Sequence, residues 1–404
     1  MVDLYWARVR GPLEPYADGL RGELERLGYT PRSAAGHVQL VAHLSRWMIR
    51  EDLAASALTP ATVDAYFAER RAAGYYNSLT ARSVRPLLDY LRKLGVVAAS
   101  GPVPATSPCE RVLSRYRDYL LVERGSAPST VELNVRMVRP FLADYVRADA
   151  GQLDLKRLDA GQVGAFVVAV SRQRPRSAGR LVTGLRSLLR FLYVDGVIDR
   201  PLAEAVPSVP SWSLSGLPKA LSRGQVAALL TSCDRSTSTG LRDFAILLLL
   251  VRLGLRAGEV AALTLDDIHW RQGELTVRGK GHRVDRLPLP GDVGQAIVDY
   301  LRRARPRTAQ GRTVFVWVQA PHRALSSNAV TTVVANAGRR AGLGLIGAHR
   351  LRHTAATAML QAGGSLTEIG QVLRHRRVLT TAVYAKVDQR ALRLVARPWP
   401  GDAV

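Results

Sequence analysis

With 404 residues, 47% of them hydrophobic, the chain is long enough for two to four domains that each bury a core. Its 57 Lys and Arg outnumber 33 Asp and Glu, a net charge of +24 carried almost wholly by Arg. The bias of a GC-rich genome is one source of that excess. A polyanionic partner, which Arg meets bidentately, is the other. Cys109 and Cys233 stand far apart at no metal-ligand spacing, which excludes a disulfide framework. The first residues lack the apolar run of a signal peptide, and the longest apolar stretch, residues 245–251, is too short to cross a bilayer. A cytoplasmic, nucleoid-associated setting is expected.

Two Pro-punctuated stretches, residues 99–108 and 200–220, read as linkers because neither holds a helix. They leave residues 1–105, 106–205 and 218–404 as the expected domains. In the first, Thr30-Pro31 opens a helical pattern through Val38, Val41, Leu44 and Met48, and Thr59-Pro60 opens a short helix. Val84, Leu87, Leu88, Tyr90 and Leu91 then form a third, stopped by Gly95. The second repeats the order: Pro128 before Val135, Val138, Phe141 and Tyr145, then Asp159 before a short helix, then Leu185, Leu188, Leu189, Phe191 and Leu192 before Gly196. Matching order, spacing and terminators predict two copies of one helical-bundle (SAM-like) unit.

Each copy carries Arg toward its last helix: Arg70, Arg71, Arg82 and Arg85 in the first, Arg172, Arg174, Arg176 and Arg180 in the second. A solvated helix face is the plain reading of any one cluster. Spread over linked domains, and joined by Arg374 and Arg376 in the third, they suit the phosphates of double-stranded DNA.

The third segment mixes helices with a little sheet. A strongly apolar helix covers residues 243–255, and strands over 274–278 and 284–289 flank the turn Gly279-Lys280-Gly281-His282. Helices follow over residues 293–304, 327–341, 348–362 and 367–374, with a last pair across 380–395. The expected fold class is mainly α: two helical modules, then a mostly α domain with a small antiparallel sheet.

Four stretches of this segment carry the chemistry: Gly254-Leu255-Arg256 with Glu259, Gly279-Lys280-Gly281, His349-Arg350-Leu351-Arg352-His353, and Arg374-His375 with Tyr384 nine residues after the His. Singly, each has an ordinary explanation: Arg256 caps a helix, Lys280 is an exposed turn lysine, His349 and His353 share a zinc, Tyr384 fills a core. The zinc reading lacks a third ligand at a suitable spacing, and the flanking Arg350 and Arg352 repel a cation. Gly279-Lys280-Gly281 lacks the spacing of a Walker loop. Glu259, Asp266 and Asp267 fit helix-start and turn roles better than metal ligation, so no metal and no cofactor is expected. Together, in this order and spacing, the four stretches resemble the tyrosine recombinase (phage-type integrase) family over residues 221–395. The second segment resembles that family's core-binding domain more loosely. Arg374 is a departure, standing where the family has Gly: either an extra charge near the scissile phosphate or another DNA contact.

The resemblance implies a site-specific recombinase of integration, transposition or mobile-element type that cuts and rejoins DNA through a 3′-phosphotyrosyl link. Tyr384 is then the nucleophile, Arg256 and Arg352 bind the non-bridging oxygens as their charge grows, and Lys280 protonates the departing 5′ oxygen. A phenol titrates near ~10, so Tyr384 needs help, and His349 is the expected proton acceptor or relay. His375 either hydrogen-bonds a phosphate oxygen or supports packing of the Tyr helix. The family works as a tetramer on two DNA sites, which implies a homo-tetramer, or a hetero-tetramer with related recombinases, docked through residues 388–395. A type IB topoisomerase and a catalytically silent DNA-binding regulator are the rivals. The His-x-x-Arg box and helical tail speak against the first, the filled catalytic positions against the second.

Overall fold

The computed structural model describes residues 7–75, 80–98, 107–145, 155–209, 219–279, 283–375 and 378–387. Lys280, Arg376, the Arg176 side chain and the expected docking segment 388–395 lie outside the described residues.

The first segment forms α1 (Ala17–Arg26), α2 (Pro31–Arg50), α3 (Pro60–Ala72) and α4 (Ala81–Lys93). Helices α2 and α3 begin where the Thr30 and Thr59 hydroxyls accept the N–H of Ser33 and Thr62, and Pro at the first helical position brings a pre-set φ. Val38, Val41, Leu44 and Met48 of α2 share one core with Val84, Leu87, Leu88 and Leu91 of α4. The second segment forms α5 (Pro108–Asp118), α6 (Pro128–Ala143), α7 (Ala160–Gln173) and α8 (Pro175–Val194) around its own core. There Val135, Val138 and Phe141 join Leu185, Leu188, Leu189, Phe191 and Leu192. In each bundle the second and fourth helices, at the positions where the two sequences match, share the core with residues of the first and third, such as Leu20 and Phe67 in one and Tyr116 and Val163 in the other. The Arg cluster of the second bundle straddles a helix junction rather than opening one helix: Arg172 ends α7, Arg174 lies between the helices, Arg180 follows in α8, and all three are exposed.

Residues 100–216 are one compact unit, and residues 1–99 with 217–404 are the other. Within the latter, the Asp89 carboxylate of α4 accepts Arg323 at 2.7 Å and lies 3.6 Å from Arg85. Arg70 stacks over the Tyr75 ring at 4.0 Å. Arg70 is half-buried, while Arg71, Arg82 and Arg85 are exposed.

The third segment forms α9 (Arg223–Thr231), α10 (Ser238–Arg252), α11 (Ala257–Ala262), β1 (Ile268–His269), β2 (Glu274–Arg278), β3 (Val284–Pro288), α12 (Gly291–Arg303), α13 (Ser327–Arg340), α14 (Ala348–Gln361), α15 (Leu366–Val372) and α16 (Val378–Ala382), then a 3-10 turn over Val383–Val387. Helix α10 is central, with Leu247, Leu249 and Leu250 fully buried and α12 and α14 packed on it. It starts before its apolar run because the Thr237 hydroxyl caps it, accepting the Gly240 N–H at 3.0 Å. The strands lie antiparallel in the order β1-β2-β3, with Leu275 opposite both Ile268 and Leu287. The mainly α class with a small antiparallel sheet is as expected. Among the described residues, no helix is long and apolar enough to cross a membrane.

Candidate active site

Two turns bring two guanidinium groups together. Gly254, after α10, has φ +58, and a Cβ there would come within 2.5 Å of Leu373 Cδ2 and 3.3 Å of Ala355 Cβ. Only Gly lets this turn run so close to α14. Its carbonyl accepts Arg352 Nη1 at 2.6 Å, and the Leu373 carbonyl accepts Nη2. Arg352 is 2% exposed. Burial, then the Arg256 charge, lowers its pKa to about 10, which leaves it cationic at neutral pH. Arg256 is the N-cap of α11, and Glu259 reaches back to accept its backbone N–H at 2.8 Å and its Nη1 at 2.6 Å. Arg256, Arg352 and His349 line one cavity of about 680 Å³, which Gly279, next in sequence to Lys280, also borders.

Tyr384 lies in the 3-10 turn after α16 and is 1% exposed. Its hydroxyl is 2.9 Å from His353 Nδ1. The expected partner, His349, is one turn away on α14, its ring edge-on to His353 with centroids 4.5 Å apart. One turn of helix therefore splits the two roles: His349 borders the cavity and His353 holds the phenol. The His375 ring is parallel to Tyr384 at 6.5 Å between centroids, and its Nδ1 is 2.7 Å from the Thr381 hydroxyl of α16.

All three imidazoles are held neutral. Burial, then His349 and Arg352, pulls His353 down to about 4. Burial, then Arg352 and Arg256, does the same to His375, to about 4. His349 is lowered by burial and by the same two arginines. With its proton on Nε2, a neutral His353 can accept the phenolic hydrogen at Nδ1. Burial raises the Tyr384 pKa and the Arg352 charge opposes it.

An unfolded His titrates near ~6.5. From there down to about 4 the unfolded chain binds protons that His353 and His375 refuse when folded, so their contribution to stability is whole above that range and is lost as pH falls through it. The thermal midpoint should fall between about pH 7 and 5, and His353→Gln should make that fall shallower. An unchanged slope in the variant would contradict a neutral, buried His353.

Arg374, expected either as an extra charge near the phosphate or as a DNA contact, is buried beside Arg256. It is 8% exposed, with φ +56. At the end of α15 the Arg374 N–H bonds the Gln371 carbonyl and the His375 N–H bonds the Gly370 carbonyl, both at 2.9 Å. This is the helix stop whose left-handed residue is usually Gly. A residue with a Cβ costs about 1–2 kcal/mol there. The side chain turns inward to Glu259 Oε2 at 2.7 Å, so one carboxylate holds both Arg256 and Arg374. Burial pushes the Glu259 pKa up, but the Arg256 backbone N–H and the charges of Arg374 and Arg256 together keep it below the usual range. Sequence reasoning leaves Glu259 as a helix-start residue; its spacing of three from Arg256 is the available signal.

The phage integrase family model matches residues 219–390. The chain belongs to this family, the tyrosine recombinases, and is a DNA-cutting and rejoining enzyme. A protein named as an integrase/recombinase, y4rA of Sinorhizobium fredii, is 40% identical over 97% of this chain and 96% of its own length. The tyrosine recombinase XerD of Mycobacterium tuberculosis is 32% identical over 72% of this chain and 96% of its own. This chain and y4rA therefore share a portion that XerD lacks. The XerH recombinase bound to palindromic difH substrate in a post-cleavage complex has the same fold, with a TM-score of 0.54 and 17% identity over 83% of this chain and 95% of that one.

Proposed function

We propose that the enzyme recombines specific sites as a homo-tetramer on two duplexes, with Tyr384 as the attacking group and the Arg256–His349–Arg352 cavity as the phosphate site. The observation that carries this reading is the line from the Tyr384 hydroxyl to neutral His353, to His349, to a cavity bordered by two guanidinium groups. The phenol oxygen attacks phosphorus while its proton passes to His353. The bond from phosphorus to the 5′ oxygen breaks, and Lys280 gives that oxygen its proton. Arg256 and Arg352 offset the charge that builds on the non-bridging oxygens. The resulting 3′-phosphotyrosyl link keeps the energy of the broken diester, so a 5′ hydroxyl of the old or a new strand closes it by the reverse path. The bond between His375 and Thr381 supports a role for His375 in holding the Tyr384 segment.

Exposed Arg172, Arg174 and Arg180 are the phosphate contacts of the second bundle, joined by Arg176 and Arg376 from their places in the sequence. A palindromic site like that of XerH is two-fold symmetric and takes two copies, so two sites take four. The first bundle is a second copy of the core-binding unit that lengthens the DNA footprint or meets a neighbouring subunit.

Sequencing the junctions formed in cells that express the enzyme will give its sites. On purified duplexes carrying them, it should join strands of separate duplexes into recombinants. Relaxation of supercoils without joining would identify a topoisomerase, and binding without cleavage a silent regulator.

A further inference from the structure

We propose that Arg374 is a positioning residue of the phosphate site, holding Arg256 through Glu259 and through its own carbonyl. The inference rests on the assignment of Arg256 and Tyr384 above.

Arg374 carries two local penalties that Gly would remove. Its backbone is left-handed at φ +56, and its Nε–H is buried with no partner. Its guanidinium also makes a bond to the Val372 carbonyl at 3.0 Å, which any Arg at a helix end can make. The distinctive return is the pair with Glu259, in which both side chains are 5% exposed.

That pair acts on Arg256. Glu259 Oε1 takes Arg256 Nη1, while Oε2 takes the Arg256 backbone N–H and Arg374 Nη2. With Arg374 absent, a buried carboxylate faces Arg256 alone and draws its guanidinium into a bidentate pair, away from the cavity. With Arg374 present, the carboxylate is shared and the Arg256 side chain stays 44% exposed. The Arg374 carbonyl also accepts Arg256 Nη2 at 3.3 Å, a second hold on the same group.

Charge points the same way. Arg256, Arg352 and Arg374 against Glu259 leave two positive charges, matching the two negative charges of a pentavalent phosphorane. Gly at 374 would leave one.

The test is Arg374→Gly, a substitution that the left-handed backbone accepts, with Arg374→Lys as the variant that restores charge. At saturating DNA, Arg374→Gly should cleave a phosphodiester about tenfold or more slowly with unchanged DNA affinity. The defect should shrink on a substrate whose scissile group is a neutral methylphosphonate, and Arg374→Lys should recover part of the rate. Cleavage at the wild-type rate, lost affinity with the saturated rate intact, or an equal defect on both substrates would each overturn the inference. Tyr384→Phe run alongside separates the two levels: an adduct formed by it overturns the site assignment, whereas no adduct together with a normal Arg374→Gly overturns this inference alone.

Discussion

Tyr384→Phe protein should bind its DNA site as tightly as the wild type and give no covalent protein–DNA band in a denaturing gel. The Tyr384 ring packs with Ala356, Ile369 and Leu373, and Phe keeps that packing. The deleted hydroxyl leaves His353 without its partner, a loss of about 1 kcal/mol, too little to unfold a domain. On the proposed assignment the effect on chemistry is total, because the attacking oxygen is gone. The other tyrosines to consider are poorly placed: Tyr300 is fully buried, its oxygen accepting the Val316 N–H at 3.3 Å, and Tyr193 has no neighbouring His in sequence. A persisting band in the variant would move the nucleophile elsewhere.

Lys280→Ala should slow cleavage by ~10²–10⁴, the range expected for loss of a general acid. A substrate with a 5′ bridging sulfur should restore most of that rate, since a thiolate departs without a proton. Replacing Arg256 and Arg352 together should show no such rescue, because their work is to offset charge on oxygens that the sulfur does not touch. Equal impairment of Lys280→Ala on both substrates would make Lys280 a DNA contact.

Periodicity made the bundles legible. Val38 to Met48 and Leu185 to Leu192 announce buried helix faces, and they are buried. The strand Glu274–Arg278 was legible from Leu275 and Val277, whereas Ile268–His269 is too short to show alternation. The start of α10 was missed because its first turn, Ser238-Thr239-Gly240, is polar and small, and its signal is the cap at Thr237. In the site, the one-turn spacing of His349 and His353 was visible, but which of them faces Tyr384 depends on how α14 is rotated against the last turn. Arg374 was the hardest to place. A charged residue suggests solvent, and its burial follows from a partner more than a hundred residues away, a carboxylate whose other ligand is Arg256.

The most direct measurement is to trap the enzyme on a nicked DNA site, digest the adduct with trypsin, and locate the attached nucleotide by mass spectrometry. Cleavage after Arg377 and Lys386 isolates residues 378–386, in which Tyr384 is the only tyrosine. The nucleotide should be found on that peptide, joined to the Tyr384 oxygen through a 3′ phosphate. Attachment to any other peptide, or through a 5′ phosphate, would contradict the account.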